Sequence, residues 1–394
     1  MNEIRQVDAA RRFEPTEHYA AWRTACPVHH EDDHQPPFYV LSRFEDVVAV
    51  LKRPELWINR DGPGVQYQKP GALGSADDPD HGRHRQVLRA SFVPTVIARQ
   101  EPQLRTIADA LIDEFADDGQ CDFVQQFAAP FPALAIAELL GVGADHRSEF
   151  GHWSNVAVAA LSGDDLDAYG HAKTMLEGYI QAGCDERAAH LDAGDDVPDD
   201  VLTVLTLARR AGTLTHAEVL HLGYQLLVAG HETTTSLLGM MLYRLLERPD
   251  LLAALRADHD LIPIAVEEAL RFDSPVHGLF RTNAHECVIG DRTIPTRSKL
   301  QVTYAAANRD PQQFDDPDDF RLDRDPCALR RHVAFGWGIH FCLGAPLARL
   351  EAKVAFEQLL SRLAHIELAG EPTRNDSFVL HGLTRLPIRF TKAE

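Results

Sequence analysis

Apolar positions along most of the chain recur at helical spacing and are interrupted by glycine, proline and acidic clusters. Residues 38–42 form a short aromatic and β-branched stretch that reads as a strand, and 44–51 read as a helix. Residues 57–76, rich in glycine, proline and polar side chains, are expected to be a loop. Helical patterning resumes at Asp80 and ends near Ser91, with a new segment starting at Pro94. Residues 97–115, 123–142 and 146–161 follow as helices. Ser162-Gly163-Asp164-Asp165 then precedes another long helix reaching about His190. An acidic break at 192–200 separates it from a helix at 201–210. Residues 215–247 read as one very long helix, because Thr215 followed by Glu218 makes a capping box. After a helix at 261–272, the period changes to short alternating strands over 280–302, with a turn at Ile289-Gly290-Asp291-Arg292. Residues 345–363 return to helix, and 378–390 alternate like a hairpin. The sum is a mainly α chain with minor β-sheets.

Composition narrows the picture. The chain has 394 residues, 45% of them hydrophobic, enough for a substantial core and a buried ligand. No linker, repeat or low-complexity run divides it, so one large domain over 1–394 is expected. It has no apolar run of about twenty residues, which argues against a transmembrane helix. Its charged N-terminus lacks a signal-peptide core. The six cysteines, Cys26, Cys121, Cys184, Cys287, Cys327 and Cys342, show no disulfide framework, which fits a reducing cytoplasm. With 39 basic and 59 acidic residues the formal net charge is −20, which argues against nucleic acids and anionic membranes as partners.

Candidate chemistry begins at Cys342, in Phe335-Gly336-Trp337-Gly338-Ile339-His340-Phe341-Cys342-Leu343-Gly344. Glycines permit a sharp turn and close approach to a flat ligand. A helix start just beyond favours thiolate over thiol. Zinc would need a paired set of ligands, and Cys327 is not so spaced. A Cys–His nucleophile has no local support, and an inert buried cysteine is the plain alternative. The Gly-x-Gly is no dinucleotide fingerprint, since Phe341 stands where the third glycine would be. A second motif, Ala229-Gly230-His231-Glu232-Thr233-Thr234, lies midway along the long helix. Glycine and threonines weaken a helix there, and an acid beside an alcohol can pass protons. A kinked core helix is the alternative. His-Glu-x-x-His chemistry is excluded because Thr235 occupies the second histidine position. A third motif, Glu268-Ala269-Leu270-Arg271, is by itself an i,i+3 ion pair. A fourth group gathers cations: His81 and Arg85 on one helix face, Arg281, and His340.

Phe-Gly-x-Gly-x-His-x-Cys-x-Gly resembles the haem-ligand loop of cytochrome P450, and the other three motifs follow that family's pattern in order. The resemblance implies the P450 fold, with haem between the long helix near 215–247 and the Cys342 loop. It implies Cys342 as iron ligand, Phe335 and Ala229 beside haem b, and His81, Arg85, Arg281 and His340 on its propionates. Arg83, Arg89 and His332 stand as second-tier haem contacts. Glu232 and Thr233 would supply protons for O–O cleavage. Glu268, Arg271 and Arg321 would be a structural network behind the haem, aided by Pro275-Val276, Arg309 and Asp310. The implied activity is insertion of one atom of O2 into a lipophilic small molecule, hydroxylation foremost. Electrons would come from NAD(P)H through a separate ferredoxin and ferredoxin reductase. A peroxide-driven enzyme and a non-catalytic haem sensor are the alternatives, and the Glu232–Thr233 pair disfavours both. Arg321, Arg324, Arg330 and Arg331 would form a basic docking face. A monomer is expected. Substrate contacts are expected at Val228, Val276, Leu279, Phe280 and Leu380, within the stretches 62–73, 157–165, 226–233, 276–280 and 380–383. His277, His381, Gln66, Tyr67 and Lys69 are candidate polar contacts.

Overall fold

The structure is a computed structural model that describes residues 16–25, 27–142, 149, 151–153, 156, 166–375, 377 and 379–393. Its principal helices are α1 (Thr16–Ala25), α2 (Phe44–Leu51), α3 (Asp80–Leu88), α4 (Glu101–Asp113), α5 (Pro130–Leu140), α6 (Leu166–Ala193), α7 (Val201–Arg210), α8 (His216–Glu247), α9 (Pro249–Ala257), α10 (Ile262–Asp273), α11 (Tyr304–Asn308) and α12 (Ala345–Arg362). The strands are β1 (Val28–Glu31), β2 (Phe38–Leu41), β3 (Trp57–Ile58), β4 (Gln120–Asp122), β5 (Leu279–Asn283), β6 (Cys287–Ile289), β7 (Arg292–Ile294), β8 (Lys299–Val302), β9 (Leu363–Leu368), β10 (Thr373–Arg374), β11 (Leu383–Arg385) and β12 (Pro387–Lys392). No described helix is long and apolar enough to cross a membrane. The expected helix at 146–161 and the stretch 157–165 lie largely outside the described residues.

The chain divides into two compact units. The first takes the chain up to Asp77, Pro263–Cys342 and the segment ending at His381. It is built on a five-stranded sheet of order β1-β2-β8-β5-β3, in which β2 runs parallel to β8 and the other pairs are antiparallel. Leu41, Val47, Val50, Leu51, Trp57, Leu300, Val302, Tyr304 and Val333 share its core. Phe38 and Phe280 meet edge to face in a second cluster, with ring centroids 5.2 Å apart. The β6–β7 hairpin turns at Gly290, whose φ is +59°, as the Gly-Asp turn suggested.

The second unit, Asp78–Ile262 with Leu343–Ser377 and the chain from Gly382, carries most of the helices. Its centre is the 32-residue α8, packed by α5, α6 and α12. The Thr215 hydroxyl accepts from the Glu218 N–H, and the Glu218 carboxylate accepts from the Thr215 N–H, closing the expected capping box. The second Glu218 oxygen accepts from Arg83 Nη2 (2.6 Å) and pairs with His84 Nε2 (2.8 Å), so one carboxylate caps α8 and grips α3.

Two segments differ from the sequence reading. The expected helix at 123–142 is a wide π turn over Val124–Ala128 and then α5, because Pro130 lacks the N–H that would continue the ladder. The tail is not a hairpin. β11 pairs with β10, whereas β12 lies between β4 and β9. At the junction the Leu386 N–H donates to Asp122 Oδ1. Alternation fixes which faces are buried, not which strand is the neighbour.

Candidate active site

In the first unit, the loop preceding Cys342 is fixed by its own backbone and by the Asn308 side chain. Val333 N–H donates to Asn308 Oδ1 (2.7 Å), Gly336 N–H to Val333 O (2.8 Å) and Cys342 N–H to Phe335 O (2.9 Å). Gly336 and Gly338 both have φ of +70°, and a Cβ on Gly338 would stand 2.6 Å from Leu51 O. The Cys342 thiol is exposed, between Phe341, also exposed, and the half-buried stretch Leu343-Gly344. Phe335 and Phe341 are 6.2 Å apart between ring centroids. His340 ends a short turn over Gly338–His340.

Behind this loop is a buried ionic network. Glu268 and Arg271 are fully buried and paired by two bonds, Arg271 Nε to Oε2 and Nη2 to Oε1, each 2.8 Å. Arg271 also donates to Asn308 O, Pro317 O and Asp319 O, so every direction of its fork is used. The second cation is Arg324, whose Nε donates to Glu268 Oε1 at 3.0 Å. Arg321, expected in this role, gives Glu268 only its backbone N–H (2.9 Å), and its guanidinium pairs with Asp316 and Asp323. The sequence places both arginines within four residues, and nothing in their spacing tells which side chain turns inward.

His332 also belongs to the foundations of the loop. Ala334 N–H donates to its Nδ1, which leaves the proton on Nε2 to donate to Glu267 Oε2 at 2.9 Å. Both partners are buried. Glu267 had no separate signal beyond being the neighbour of Glu268.

Among the remaining expected residues of this unit, Arg281 is buried on β5, with Nη1 donating to Phe280 O. Leu279, Val276 and Leu380 are half-buried, and Val276 and Leu380 face each other across an isolated antiparallel bridge. Phe280 departs from the expectation of substrate contact: it is fully buried against Phe38 in the sheet core. Gln66 Nε2 donates to Gln35 O and the Tyr67 hydroxyl to Arg297 O, while Lys69 is exposed. His277 and His381 stack on each other.

In the second unit, α8 presents Gln225, Val228, Ala229, Glu232 and Thr233 as a less buried stripe at i, i+3, i+4, i+7, i+8 spacing. Leu226, Leu227, His231, Thr234 and Thr235 face the packed side. The helix stays continuous through the weak-propensity segment. Its threonines bond back instead, Thr233 Oγ1 donating to Ala229 O (2.8 Å) and Thr235 Oγ1 to His231 O (3.0 Å). Burial pushes the Glu232 carboxyl up to about 7 and the His231 imidazole down to about 4. Glu232 is thus an acid poised near neutrality, and His231 is neutral. Glu351 on α12, a residue without a sequence signal, is wholly buried with Thr234 hydrogen-bonded to it, and burial holds its carboxyl well above the usual range. On α3, His81 and Arg85 lie one turn apart on one face, His81 buried and Arg85 half-buried. Burial depresses the His81 imidazole, against the opposing pull of Asp78. Arg83 is committed to Asp80, Glu218 and Thr213 O, and Arg89 is exposed.

The donor set suits a haem held by a thiolate. In the first unit the Cys342 sulfur is exposed on a glycine loop held by hydrogen bonds, a donor that a haem iron would take, and Arg281 and His340 are basic side chains of the kind its carboxylates would need. A mainly helical chain with such a loop and an acid–alcohol pair on its longest helix defines a haem-thiolate oxygenase. The chain belongs to the cytochrome P450 family, which it matches over residues 150–390. It is 37% identical to 6-deoxyerythronolide B hydroxylase of Saccharopolyspora erythraea, covering 94% of this chain and 95% of that protein. It is 35% identical to vitamin D(3) 25-hydroxylase of Pseudonocardia autotrophica, covering 94% and 92%. The solved structure of cytochrome P450 CYP109Q5 from Chondromyces apiculatus superposes with a TM-score of 0.88 at 35% identity, covering 99% of this chain and 98% of that one. The protein is a P450 monooxygenase acting on small organic molecules.

Proposed function

We propose that this P450 hydroxylates a lipophilic molecule with O2, both units serving one catalytic domain. The observation that carries this reading is the acid–alcohol pair: Glu232, poised near pH 7 by burial, beside Thr233 on the less buried stripe of α8. A general acid works best when its pKa lies near the operating pH. Cys342 is assigned as the thiolate ligand of haem b, with Phe335 and Ala229 beside the ring. His81, Arg85, Arg281 and His340 are assigned to the propionates, whose charge needs donors in an apolar setting. The bound haem supplies reductive activation of dioxygen.

The Glu232 carboxyl holds a proton at its own oxygen and can hand it to the Thr233 hydroxyl as that hydroxyl gives up its own hydrogen. Thr233, whose hydroxyl donates to Ala229 O, can turn that hydrogen outward to pass the proton on. Val228, Val276, Leu279 and Leu380 are apolar and partly buried, and they orient a lipophilic substrate and exclude water. Electrons are assigned to NAD(P)H by way of a ferredoxin and its reductase. Arg330 and Arg331, exposed near the ligand loop in sequence, are the docking cations, because Arg321 and Arg324 are already paired.

The test is turnover by purified protein with a surrogate ferredoxin, its reductase and NADPH, against hydrogen peroxide alone. Product that requires O2 and the full electron chain is expected. Product from peroxide alone at an equal rate would make the protein a peroxygenase, and haem binding with no product under either condition would make it a sensor.

A further inference from the structure

Strand β8 carries a cation into the core of the first unit. Lys299 is fully buried, paired in the sheet with Phe38 of β2 and Thr282 of β5. Residues opposite each other in a sheet share a face, so Lys299 rises on the same side as Phe38 and Phe280. Its Nζ donates to two consecutive main-chain carbonyls, Asp61 O and Gly62 O, each at 3.0 Å. It also stands 5.0 Å from the centre of the Tyr67 ring. Burial holds the amine down to about 8; Asp61 favours the charge, and Arg281 and Arg297 oppose it. The two carbonyls belong to a loop that closes on itself, with Gln68 N–H donating to Asp61 O (2.9 Å) and Gly62 N–H to Asn59 O (2.9 Å). Gly62 has φ of +91°, and a Cβ there would stand 2.7 Å from the Gln68 side chain, so this turn requires glycine. The loop meets the sheet at three further points. Phe280 N–H donates to Pro63 O (2.8 Å), Val65 is buried with Phe38, Val40 and Phe280, and the Tyr67 hydroxyl donates to Arg297 O. Arg297 Nη2 in turn lies 3.2 Å from Asp61 Oδ2.

We propose that Lys299 is the positioning residue of the 61–68 loop: its ammonium holds the Asp61 and Gly62 carbonyls down on the sheet and so sets the place of the stretch 62–73 against substrate. An apolar side chain of the same length would fill the space beneath the loop and offer no donor. Gly62 O would lose the ammonium, while Asp61 O would keep Gln68. A buried carbonyl deprived of its donor is costly, and water reaches it once the loop lifts. The charge is itself a cost to the fold, as its depressed amine shows, and exchanging a buried charge for an apolar side chain is often neutral or stabilising. The two roles open to Lys299 therefore carry different signatures. A side chain that only supports the core lowers global stability when it is replaced. A positioning ammonium, when replaced, frees the loop alone and leaves global stability at or above the parental level. The consequence for substrate rests on the reading of 62–73 as a lining stretch.

The test is amide hydrogen exchange at pH 7 on haem-loaded parent and Lys299→Met, comparing peptides over 59–69 with those over 279–283 and 299–302. Protection within 61–68 is expected to fall about tenfold or more, the scale of a charge-assisted hydrogen bond. The sheet peptides should keep theirs, and the urea midpoint should stay at or above the parent's. Unchanged protection of the loop, or an equal loss in the sheet with a lower midpoint, would overturn the proposal. Tyr67 is exposed, so variants there carry the test without burdening the core. Tyr67→Phe keeps the ring over the ammonium and Tyr67→Leu removes it. The Leu variant should exchange about threefold or more faster in 61–68 than the Phe variant, as a cation–π contact implies, and equal exchange would count against the ammonium. Binding is read with two haem-iron ligands, imidazole and 4-phenylimidazole, of which only the second carries an apolar ring. In Lys299→Met the affinity for 4-phenylimidazole should fall about threefold or more relative to that for imidazole, because the loop is placed for binding in a smaller fraction of molecules. A ratio that stays constant while loop protection falls would overturn the consequence for substrate and leave Lys299 as the clamp of the loop. A parent whose spectrum shifts with neither compound would instead refute the haem reading itself.

Discussion

At the scale of single residues, the pair Glu232 and Thr233 combines two effects that the same burial produces. A carboxyl raised from 4.5 to about 7 is a good proton donor at neutral pH, and it is also a cost to the fold. Below about pH 4.5 both folded and unfolded chains carry the proton, and the acid costs nothing. Between that pH and about 7 the unfolded chain ionises first, so stability falls as pH rises, by on the order of 3 kcal/mol at the plateau above 7. Glu232→Gln should therefore flatten this part of the stability profile and raise the urea midpoint at pH 8 relative to the parent, with little change near pH 4. The same change should slow product formation roughly 10²-fold, the ordinary contribution of a positioned acid. Thr233→Ala leaves the acid in place but removes the hydroxyl that we propose relays its proton. Its expected signature is wasted electrons: NADPH consumption continues, peroxide accumulates, and product per NADPH falls. Unchanged coupling in Thr233→Ala would remove the proton role from that hydroxyl.

At the scale of elements, the Glu268–Arg271–Arg324 network joins α10 to the chain that leads into the ligand loop. Glu268 and Arg271 are buried and Arg324 is half-buried, and Arg271 adds three carbonyls to its carboxylate. Removing one partner from such a pair strands a buried charge, so Arg271→Met should destabilise the protein by about 3–5 kcal/mol. Arg271→Lys keeps the charge but loses the planar fork and should also fail to restore the parent midpoint. Arg321→Ala should be mild by comparison, since only its backbone reaches Glu268, and Arg324→Ala should be severe; thermal melts of the haem-loaded proteins would rank them. A ranking with Arg321 the worse would contradict the observed geometry. This contrast marks what the sequence could convey. The start of α8 was legible because Thr215 and Glu218 satisfy each other within one turn, a local rule. The glycine loop around Cys342 was legible for a similar reason. The choice of Arg324 over Arg321, the separation of β11 from β12, and the stacking of His277 on His381 all depend on which distant segments meet. No spacing along the chain encodes that.

At the scale of the whole molecule, charge sets two opposing demands on electron delivery. The formal net charge of −20 would repel an acidic ferredoxin at long range, whereas Arg330 and Arg331, the docking cations we propose, would attract it locally. Salt distinguishes the two, because at about 0.15 M the screening length is only about 8 Å. If the arginine pair governs docking, the rate of the first electron transfer should fall as salt is raised. If the net charge governs it, added salt should relieve repulsion and the rate should rise. Docking through these arginines predicts the first sign, and it predicts that Arg330→Glu/Arg331→Glu reverses it. In that variant the transfer at low salt should slow about tenfold or more, as expected when steering charges are inverted, and then recover with salt. Haem content and the urea midpoint should stay at parental values, because both side chains are exposed and neither belongs to the Glu268 network. Stopped-flow reduction under carbon monoxide across a salt series reads this directly. A rate that rises with salt in the parent, or a variant that keeps the parent's salt dependence, would place the docking surface elsewhere on the molecule.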